Sequence, residues 1–240
     1  VAFSPDGQII ASGDDENNIH LWDVTSGKKI RTLKGHRGWF AGVNCLSFSP
    51  DGEIIASAGG DKTVKLWDVS TGEEIRTFIG HDRWVGTVAI SPDRQIIASG
   101  SADKTAILWN LNTGEILNLL IHTGTFAAVR SVAFSPDGQI IATASEDYTI
   151  KLWEVSNGEE ICTLKGHENF VRYVNFSPNR EILASSSYSD DIKLWDMNTK
   201  QEISTLSGHS GDVNSLVFSP DGKTLFSGSE DKTIKIWRCE

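Results

Sequence analysis

The sequence is short of basic residues and of long apolar runs, and each shortage excludes a class of partner. The 240 residues carry 22 Lys and Arg against 32 Asp and Glu, a formal net charge of −10. Without a basic excess to neutralise a phosphate backbone, we expect no nucleic-acid partner. The same charge disfavours an anionic membrane surface. No apolar run approaches the roughly 18–20 residues of a spanning helix, so we expect no membrane partner.

Cysteine is scarce as well, and the sequence opens without an initiator Met. The three cysteines, Cys45, Cys162 and Cys239, are odd in number and far apart. They predict neither a disulfide framework nor a metal cluster, which is typical of a reducing, cytoplasmic location. No phosphate-loop or metal-ligand spacing is present, so we expect no cofactor and no metal. Because the sequence begins at Val1 in mid-pattern, we expect covalent attachment to further domains.

Proline is rare too, and its placement reveals an internal repeat. All six prolines lie in tetrapeptides that read Ser-Pro-Asp-Gly or a close variant, beginning at Ser4, Ser49, Ser91, Ser135, Ser177 and Ser219. Six of the eight Trp follow at a fixed offset, with separations of 45, 42, 44, 42 and 42 residues: Trp22, Trp67, Trp109, Trp153, Trp195 and Trp237. Six units of about 42 residues therefore fill residues 1–240 as a single repeat domain.

Each unit predicts four short strands and no helix. In the second unit these strands are residues 46–48, 54–57, 64–67 and 75–78, and no segment shows a 3.6-residue apolar period. In the turn, Pro presets φ, Asp bonds its own backbone and Gly accepts a left-handed conformation. Arg94 and Arg180 replace that Gly. For those two hairpins we predict either mild strain or another loop shape.

The alternation of side chains within a strand predicts how the sheets pack. Val64 and Leu66 point to one face of the sheet and Trp67 to the other, so both faces need cover. An identical neighbouring sheet supplies that cover when the sheets repeat around an axis, whereas a two-layer sandwich leaves one face polar. The predicted fold class is therefore all-β, a β-propeller of six four-stranded blades.

Two kinds of short motif carry a family resemblance. Leu66-Trp67-Asp68 and Leu194-Trp195-Asp196, with the Gly-His pairs that end at His36, His81, His167 and His209, resemble the WD-repeat (WD40, Trp-Asp) family. The uniform Ser-Pro-Asp-Gly-Gln-Ile-Ile-Ala-Ser style of unit looks like its bacterial members, which are often appended to kinase or NTPase modules. The sequence departs from the pattern at Asn110, Glu154 and Arg238 after Trp, and at Ile121 before His122.

The resemblance also bears on the number of blades. In this family the sequence repeat and the structural blade are offset by one strand, and the six units here contain only five outer strands. After Trp237 only three residues remain, too few for the sixth. We therefore expect the last blade to lack its outer strand and to present an unpaired edge. Rings of the family usually have seven blades, so the chain is expected to be part of a larger ring; a six-bladed ring that closes imperfectly is the alternative.

A set of His, Ser or Thr, and Asp resembles a hydrolase triad but recurs in several units. Catalysis needs one site, whereas one copy per blade is what architecture needs, and no Gly-x-Ser-x-Gly elbow is present. We therefore predict no enzyme and no catalytic residue. The resemblance implies instead a buried hydrogen-bonded tetrad in each blade. Its members are His36, Ser57, Asp61 and Trp67; His81, Ser99, Asp103 and Trp109; His122, Thr143, Asp147 and Trp153; His167, Ser185 and Trp195; and His209, Ser227, Asp231 and Trp237.

Two units depart from the tetrad. In the fifth, Ser189 stands where Asp is expected. In the first, Glu16 stands there and no His precedes the unit. The acidic stretch of residues 14–18 lacks the Gly and terminal Glu of a calcium loop, so we expect a solvated turn.

Partners of this family usually dock on the face formed by the loop before each blade's first strand and the turn before its third strand, here called the loop face. The loops into the second and fourth blades are longer than the others, and aromatic residues and Arg, the usual hot-spot types, fall on this face. The expected partner-binding residues are Trp39, Phe40, Trp84, Phe126, Arg130, Phe170, Arg172 and Tyr188. The alternatives are that the rings cover blade edges as lids and that the arginines offset the chain's own negative field.

The sequence therefore predicts a non-catalytic scaffold that binds a peptide or protein segment on the loop face. One alternative is a regulatory or sensor module within a larger kinase or NTPase chain. Another is a ligand-binding or enzymatic propeller that uses a central channel, although the predicted channel-facing residues are mostly Ala, Ser, Val and Leu.

Overall fold

The computed structural model describes residues 1–38 and 42–238, and every regular element in that part of the chain is a β-strand. The predicted all-β class is confirmed. Among these residues there is no helix with the length and apolar character needed to cross a membrane.

Residues Val1–Ile121 form one compact unit with three four-stranded antiparallel sheets, each with its strands in chain order. The first sheet contains β1 (Ala2–Phe3), β2 (Ile9–Gly13), β3 (Asn18–Asp23) and β4 (Lys29–Lys34). The second contains β5 (Val43–Phe48), β6 (Ile54–Gly59), β7 (Thr63–Asp68) and β8 (Glu74–Ile79). The third contains β9 (Val85–Ile90), β10 (Ile96–Ser101), β11 (Thr105–Asn110) and β12 (Ile116–Ile121).

Residues His122–Glu240, described as far as residue 238, form a second unit with three further sheets. The fourth sheet contains β13 (Val129–Phe134), β14 (Ile140–Ser145), β15 (Thr149–Glu154) and β16 (Glu160–Lys165). The fifth contains β17 (Val171–Phe176), β18 (Ile182–Ser187), β19 (Asp191–Asp196) and β20 (Glu202–Ser207). The sixth contains β21 (Val213–Phe218), β22 (Thr224–Ser229) and β23 (Ile234–Arg238), and within the described residues it lacks a fourth strand, as predicted.

The alternation along the third strand of each blade places side chains between neighbouring sheets. In the first unit, Trp67 shares a buried cluster with Leu21 and Leu33 of the first sheet, whereas Leu66 shares one with Ile97 and Trp109 of the third. The second sheet is therefore covered on both faces. This confirms the packing that the sequence predicted for a propeller blade.

The Ser-Pro-Asp-Gly turn is closed by its own side chains. In the first blade the Ser4 hydroxyl donates to Asp6 at 2.5 Å and accepts from the backbone N–H of Ile9 at 2.9 Å. The backbone N–H of Gly7 donates to the Ser4 carbonyl at 2.8 Å, and Gly7 has a φ of 70°. A residue without Cβ adopts that left-handed conformation without steric cost.

Arg94 and Arg180 occupy the same turn position and keep the same loop shape. Their φ values are 58° and 65°, and the backbone N–H of Arg94 donates to the Ser91 carbonyl at 2.9 Å as Gly does elsewhere. Of the two alternatives that the sequence left open, the structure shows strain rather than a different loop. Each guanidinium forms an ion pair with the turn carboxylate of the preceding blade, Arg94 with Asp51 and Arg180 with Asp137.

Candidate functional site

In the second blade the four side chains of the predicted tetrad form one continuous chain of contacts. The indole N–H of Trp67 donates to Ser57 Oγ at 2.8 Å, and His36 Nε2 lies 2.7 Å from the same oxygen. His36 Nδ1 lies 2.9 Å from Asp61 Oδ1. His36, Ser57 and Trp67 are buried, so every polar group that they take out of water has a partner.

The same arrangement recurs in three other blades. The indole nitrogens of Trp109, Trp153 and Trp237 lie 2.8, 2.8 and 2.9 Å from the hydroxyls of Ser99, Thr143 and Ser227. The same hydroxyls lie 2.8, 2.7 and 2.7 Å from Nε2 of His81, His122 and His209. Nδ1 of these three rings lies 2.8, 2.8 and 2.7 Å from the carboxylates of Asp103, Asp147 and Asp231. In each case the hydroxyl oxygen accepts the indole proton and also lies within hydrogen-bond distance of the imidazole. The residues that carry these hydroxyls, Ser57, Ser99, Thr143 and Ser227, are buried.

The carboxylate of each complete tetrad also joins two loops. Asp61 accepts from the backbone N–H of Arg37 at 3.0 Å and from the hydroxyl of Thr63 at 2.7 Å. Burial alone would raise the pKa of Asp61, but the hydrogen bonds from His36, Arg37 and Thr63 lower it to about 2. The pKa of Asp103 is lowered as well, since His81 and Thr105 outweigh its burial. These carboxylates therefore remain ionised through the neutral range.

In the fifth blade the tetrad stops at the imidazole. His167 Nε2 lies 2.7 Å from Ser185 Oγ, which accepts the indole proton of Trp195 at 2.8 Å. Ser189, in the place of Asp, instead pairs with the hydroxyl of Ser187 at 2.9 Å. His167 Nδ1 has no hydrogen-bond partner among the residues that the structure describes. Burial, together with the charge of Lys193, lowers the pKa of His167 to about 4.

The first blade replaces the missing His with side chains that the sequence reading overlooked. The indole of Trp22 donates to Ser12 at 2.9 Å, as in the other blades. His20, from strand β3, lies 3.0 Å from Asp14 Oδ2 through Nε2 and 3.0 Å from Thr32 Oγ1 through Nδ1. A His two residues before Trp, combined with an acid two residues after Ser, is the sequence signal that could have indicated this arrangement.

On the loop face of the second unit, four aromatic rings lie together. We call Phe126, Tyr148, Phe170 and Tyr188 the aromatic cluster. Phe170 is its centre: its ring centroid lies 6.2 Å from that of Phe126, 5.5 Å from Tyr148 in a stacked pair, and 5.9 Å from Tyr188 edge to face. Phe126 is 64% exposed and Tyr148 46% exposed. Large rings this open to solvent are not core residues.

Backbone contacts fix the position of this cluster. The N–H of Tyr188 donates to the Phe170 carbonyl at 2.9 Å, and the side-chain amide of Asn169 donates to the Tyr188 carbonyl at 2.6 Å. Tyr148 has a φ of 70°, in the left-handed region. Phe126, Phe170 and Tyr188 were predicted from the sequence, whereas Tyr148 was missed. Its signal was an aromatic residue between Asp147 and Thr149, where three other repeats have Lys.

The two predicted arginines each contact carboxylates of this chain. Both stand at a β-bulge, at the shift between residues 129 and 131 and at that between 171 and 173, and a bulge re-aims a side chain. The guanidinium of Arg172 lies 4.6 Å above the Tyr188 ring, and its Nη1 is 3.3 Å from Glu230 Oε1. Arg130 Nε donates to Glu146 at 2.7 Å. Arg172 is therefore continuous with the aromatic cluster.

Of the remaining predicted binding residues, one can be described. Trp84, in the first unit, is half-buried, and a Cβ on Gly86 would lie 2.7 Å from its ring, so Trp84 packs over Gly86. The side chains of Trp39 and Phe40 lie outside the described residues. Within residues 1–38 and 42–238, no three His, Cys, Asp or Glu side chains form a group that could hold a metal ion.

The relatives of this chain share its repeat. A segment of 39 residues is 51% identical to a protein of Thermomonospora curvata named "Probable serine/threonine-protein kinase PkwA", covering 16% of this chain and 5% of that protein. A WD repeat-containing protein of Nostoc sp. is 46% identical over 39 residues, which is 16% of this chain and 3% of that one. A U3 snoRNP-associated protein-like YAOH of Oryza sativa is 47% identical over 47 residues, which is 20% and 9% of the two chains.

The match to the family extends much further along the chain than any of these. The pattern of the WD domain, G-beta repeat, fits six segments, which together take in almost all of the sequence: residues 1–23, 27–68, 72–110, 116–154, 158–196 and 200–238. Each segment ends at or just after the Trp of its tetrad, as the spacing of the repeat requires. The chain therefore belongs to the WD40 repeat family.

Proposed function

We propose that this chain is a non-catalytic interaction module that binds a peptide or protein segment on its loop face, with the aromatic cluster as the contact surface. The observation that carries the proposal is the cluster itself. Phe126 and Tyr148 are both exposed beside Phe170, at 64% and 46%. Rigid aromatic rings supply a large contact area at low conformational cost, which is why they dominate binding hot spots.

The charges around the cluster support a protein partner. Arg172 stacks on Tyr188 and is shared with Glu230 and Asp212, at 3.3 and 4.0 Å. These ion pairs lie at the surface, where each contributes little to stability. An acidic side chain of a partner segment can therefore displace one at small cost. The expected segment carries an apolar residue for the cluster and a carboxylate for Arg172.

A non-catalytic role is part of the proposal, and the repetition of the tetrad supports it. The His, Ser or Thr, and Asp arrangement occurs in four blades with nearly identical distances. We also propose a cytoplasmic location, which is supported by free thiols at Cys45 and Cys162.

Peptide display followed by calorimetry tests the contact surface. Segments selected on the wild-type chain are titrated against the Phe126→Ala/Tyr148→Ala variant, which removes the two most exposed rings of the cluster. We expect affinity to fall about 30-fold, the effect of losing one hot spot of about 2 kcal/mol. The matched control is Phe3→Ala/Ile79→Ala, which removes two equally exposed apolar side chains of the first unit. Equal affinity for both variants would place the contact surface elsewhere.

A second candidate is a regulatory module within a larger chain, and one observation favours it. The matched segment of the Thermomonospora protein belongs to a chain named as a serine/threonine-protein kinase. Sequencing the gene on both sides of the segment that encodes this chain tests the idea directly. A kinase or NTPase domain in the same open reading frame supports it, and an open reading frame that encodes only WD repeats refutes it.

A further inference from the structure

The fifth blade contains a polar cavity at the position of its missing carboxylate. The cavity has a volume of about 410 Å³ and is lined by His167, Glu168, Ser189, Asp191 and Lys193, among others. That volume is within the range of small-ligand sites and is far larger than one water molecule, whose share of the liquid is about 30 Å³. In the four complete tetrads, an Asp side chain reaches the imidazole at the corresponding position.

A polar atom of a largely buried side chain faces this cavity. His167 is only 9% exposed, and the contact between Nε2 and Ser185 at 2.7 Å fixes its ring. Nδ1 lies on the side of the ring that meets Asp in the four complete tetrads. Ser189 bonds to Ser187 instead. Nδ1 therefore has no hydrogen-bond partner among the described residues and is available to a ligand in the cavity.

The polar groups of the cavity differ from those of a complete tetrad, because an acidic residue stands where the complete tetrads have a hydroxyl donor. Two residues after the tetrad Asp, the four blades with complete tetrads carry a Thr whose hydroxyl donates to the carboxylate, as Thr105 does to Asp103 at 2.6 Å. The fifth blade has Asp191 there, an acceptor in place of a donor. Lys193 is already neutralised by Glu202, at 2.8 Å. Glu168 and Asp191 form no ion pair with the described residues, so the unbalanced charge of the cavity is negative.

These observations argue against a bound anion in place of the missing carboxylate. An anion bound at Nδ1 would be in the place of the tetrad Asp, next to Asp191 and close to Glu168, and like charges at such distances repel strongly. A cation meets acceptors instead: the carboxylate of Asp191, the hydroxyls of Ser187 and Ser189, and Nδ1. In the tautomer that donates Nε2–H to Ser185, Nδ1 presents a lone pair to the cavity.

We propose that the fifth-blade cavity binds an alkylammonium group, the side chain of a lysine, with Asp191 as its counter-charge and His167 Nδ1 as an acceptor. Lysine carries a compact charge with three donors on a slender four-carbon stem, which can reach an acceptor on a largely buried side chain. The wider, planar guanidinium of Arg is less suited to such a recess. This site lies in the fifth blade and borders the aromatic cluster through Tyr188, but the groups that would hold the ammonium belong to other residues.

Nuclear magnetic resonance of the ring nitrogens tests the proposal in the full 240-residue chain. The probe is Nα-acetyl-lysine N-methylamide, whose only charge is the ε-ammonium. We expect a saturable shift of the His167 nitrogens, with Nε2 protonated and Nδ1 unprotonated in the complex. His81 and His209, whose Nδ1 faces a carboxylate, are expected to show the opposite tautomer and no shift. The ε-acetylated probe, which has no charge, is expected not to bind.

Variants separate this site from non-specific attraction to an acidic protein. Asp191→Asn and Glu168→Gln each remove one counter-charge, and we expect each to weaken binding, Asp191→Asn by about tenfold. Asp190→Asn is the matched control, because this exposed neighbour does not line the cavity, and we expect it to leave affinity unchanged. Ser189→Asp returns the carboxylate to Nδ1 and fills the cavity, so binding should be lost while the fold is retained.

Four results would overturn the proposal. The first is that the His167 nitrogens show no saturable shift up to the solubility limit of the lysine probe, and the second is that Asp191→Asn and Asp190→Asn bind this probe with equal affinity. The third is that acetate binds in preference to the lysine probe, and the fourth is that alanine N-methylamide binds whereas the lysine probe does not. The last result would assign the cavity to an N-terminal amine instead. None of these outcomes depends on the aromatic cluster, so failure here is distinguishable from failure of the proposed interaction surface.

Discussion

The third and fifth blades have the same Trp, Ser and His but differ in one member of the tetrad. His81 in the third blade has partners at both ring nitrogens, at 2.8 Å from Ser99 and 2.8 Å from Asp103. His167 in the fifth has only Ser185, at 2.7 Å. Both rings remain buried, in van der Waals range of their Trp. The position of the imidazole is therefore determined by Trp and Ser and does not require the carboxylate.

What the carboxylate adds is a connection between loops. Asp103 accepts from the backbone N–H of Asp82 at 2.9 Å and from Thr105 at 2.6 Å, so it joins the loop before the blade to the turn before the third strand. Among the described residues of the fifth blade no carboxylate makes this connection, and a cavity lies beside His167. There the loop and the turn are joined by Asn169, whose side-chain amide donates to the Tyr188 carbonyl at 2.6 Å. The comparison separates two roles within one tetrad, because Trp, Ser and His fill the blade while Asp ties the loop face together.

The strongest test of this difference is to give the third blade the serine that the fifth blade carries in place of the tetrad Asp. Asp103→Ser leaves His81 Nδ1, the N–H of Asp82 and the hydroxyl of Thr105 without their acceptor. We expect the free energy of unfolding to fall by about 3 kcal/mol, since each unpaired buried group costs about 1–3 kcal/mol and part of that is recovered by water. Denaturant unfolding measures the change. The control is Asp82→Ser, an exposed acid of the same loop, with an expected change within about 0.5 kcal/mol. Similar losses for the two variants would contradict the role of Asp103.

Lowering the pH should reduce the free energy of unfolding through His167 of the fifth blade. Burial lowers the pKa of His167 to about 4, whereas an unfolded His titrates near 6.5, so the unfolded state takes up the proton first. Stability from this group is complete above pH 6.5 and is lost as the pH falls toward 4. Between pH 7 and pH 5 the loss is about 2 kcal/mol.

The variant His167→Gln removes that proton-binding site, so its unfolding free energy should change less over the same pH interval. The carboxylate of Asp61 contributes little in this range, because its pKa is lowered to about 2 and its stabilisation is lost only below pH 4. An unchanged pH slope in His167→Gln would show that another group is responsible.

Removing the imidazole itself compares the two blade types with one substitution. His209→Ala removes one partner from both Asp231 and Ser227, whereas His167→Ala removes one from Ser185. We expect His209→Ala to be the more destabilising, because it also removes a hydrogen bond to a carboxylate. Midpoints of chemical denaturation compare them directly, and equal midpoints would remove the distinction.

The sequence predicted the parts of this structure that repeat and missed those that depend on contacts between repeats. Proline and tryptophan spacing predicted the blades, and the resemblance to WD repeats implied the tetrads, whose members recur at similar offsets in the repeats. The stacking of Tyr148 on Phe170 joins two blades, and no offset within a unit indicates it. The pairing of His20 with Asp14 was missed because both side chains stand outside the usual tetrad positions.

The turn arginines test whether the third and fifth blades differ anywhere else. Arg94 and Arg180 occupy the same left-handed position in these two blades, and each pairs with the turn carboxylate of the preceding blade. Replacement by Gly relieves about 1–2 kcal/mol of left-handed strain but loses a surface ion pair worth up to about 1 kcal/mol and some unfolded-state entropy. We expect Arg94→Gly and Arg180→Gly each to stabilise by about 0.5 kcal/mol, with a larger gain at high salt, where the lost ion pair contributes less. Thermal unfolding at two salt concentrations measures both. Because the two turns are alike, the two gains should be equal, and a clear difference between them would mean that Ser189 alone does not account for the contrast between the blades.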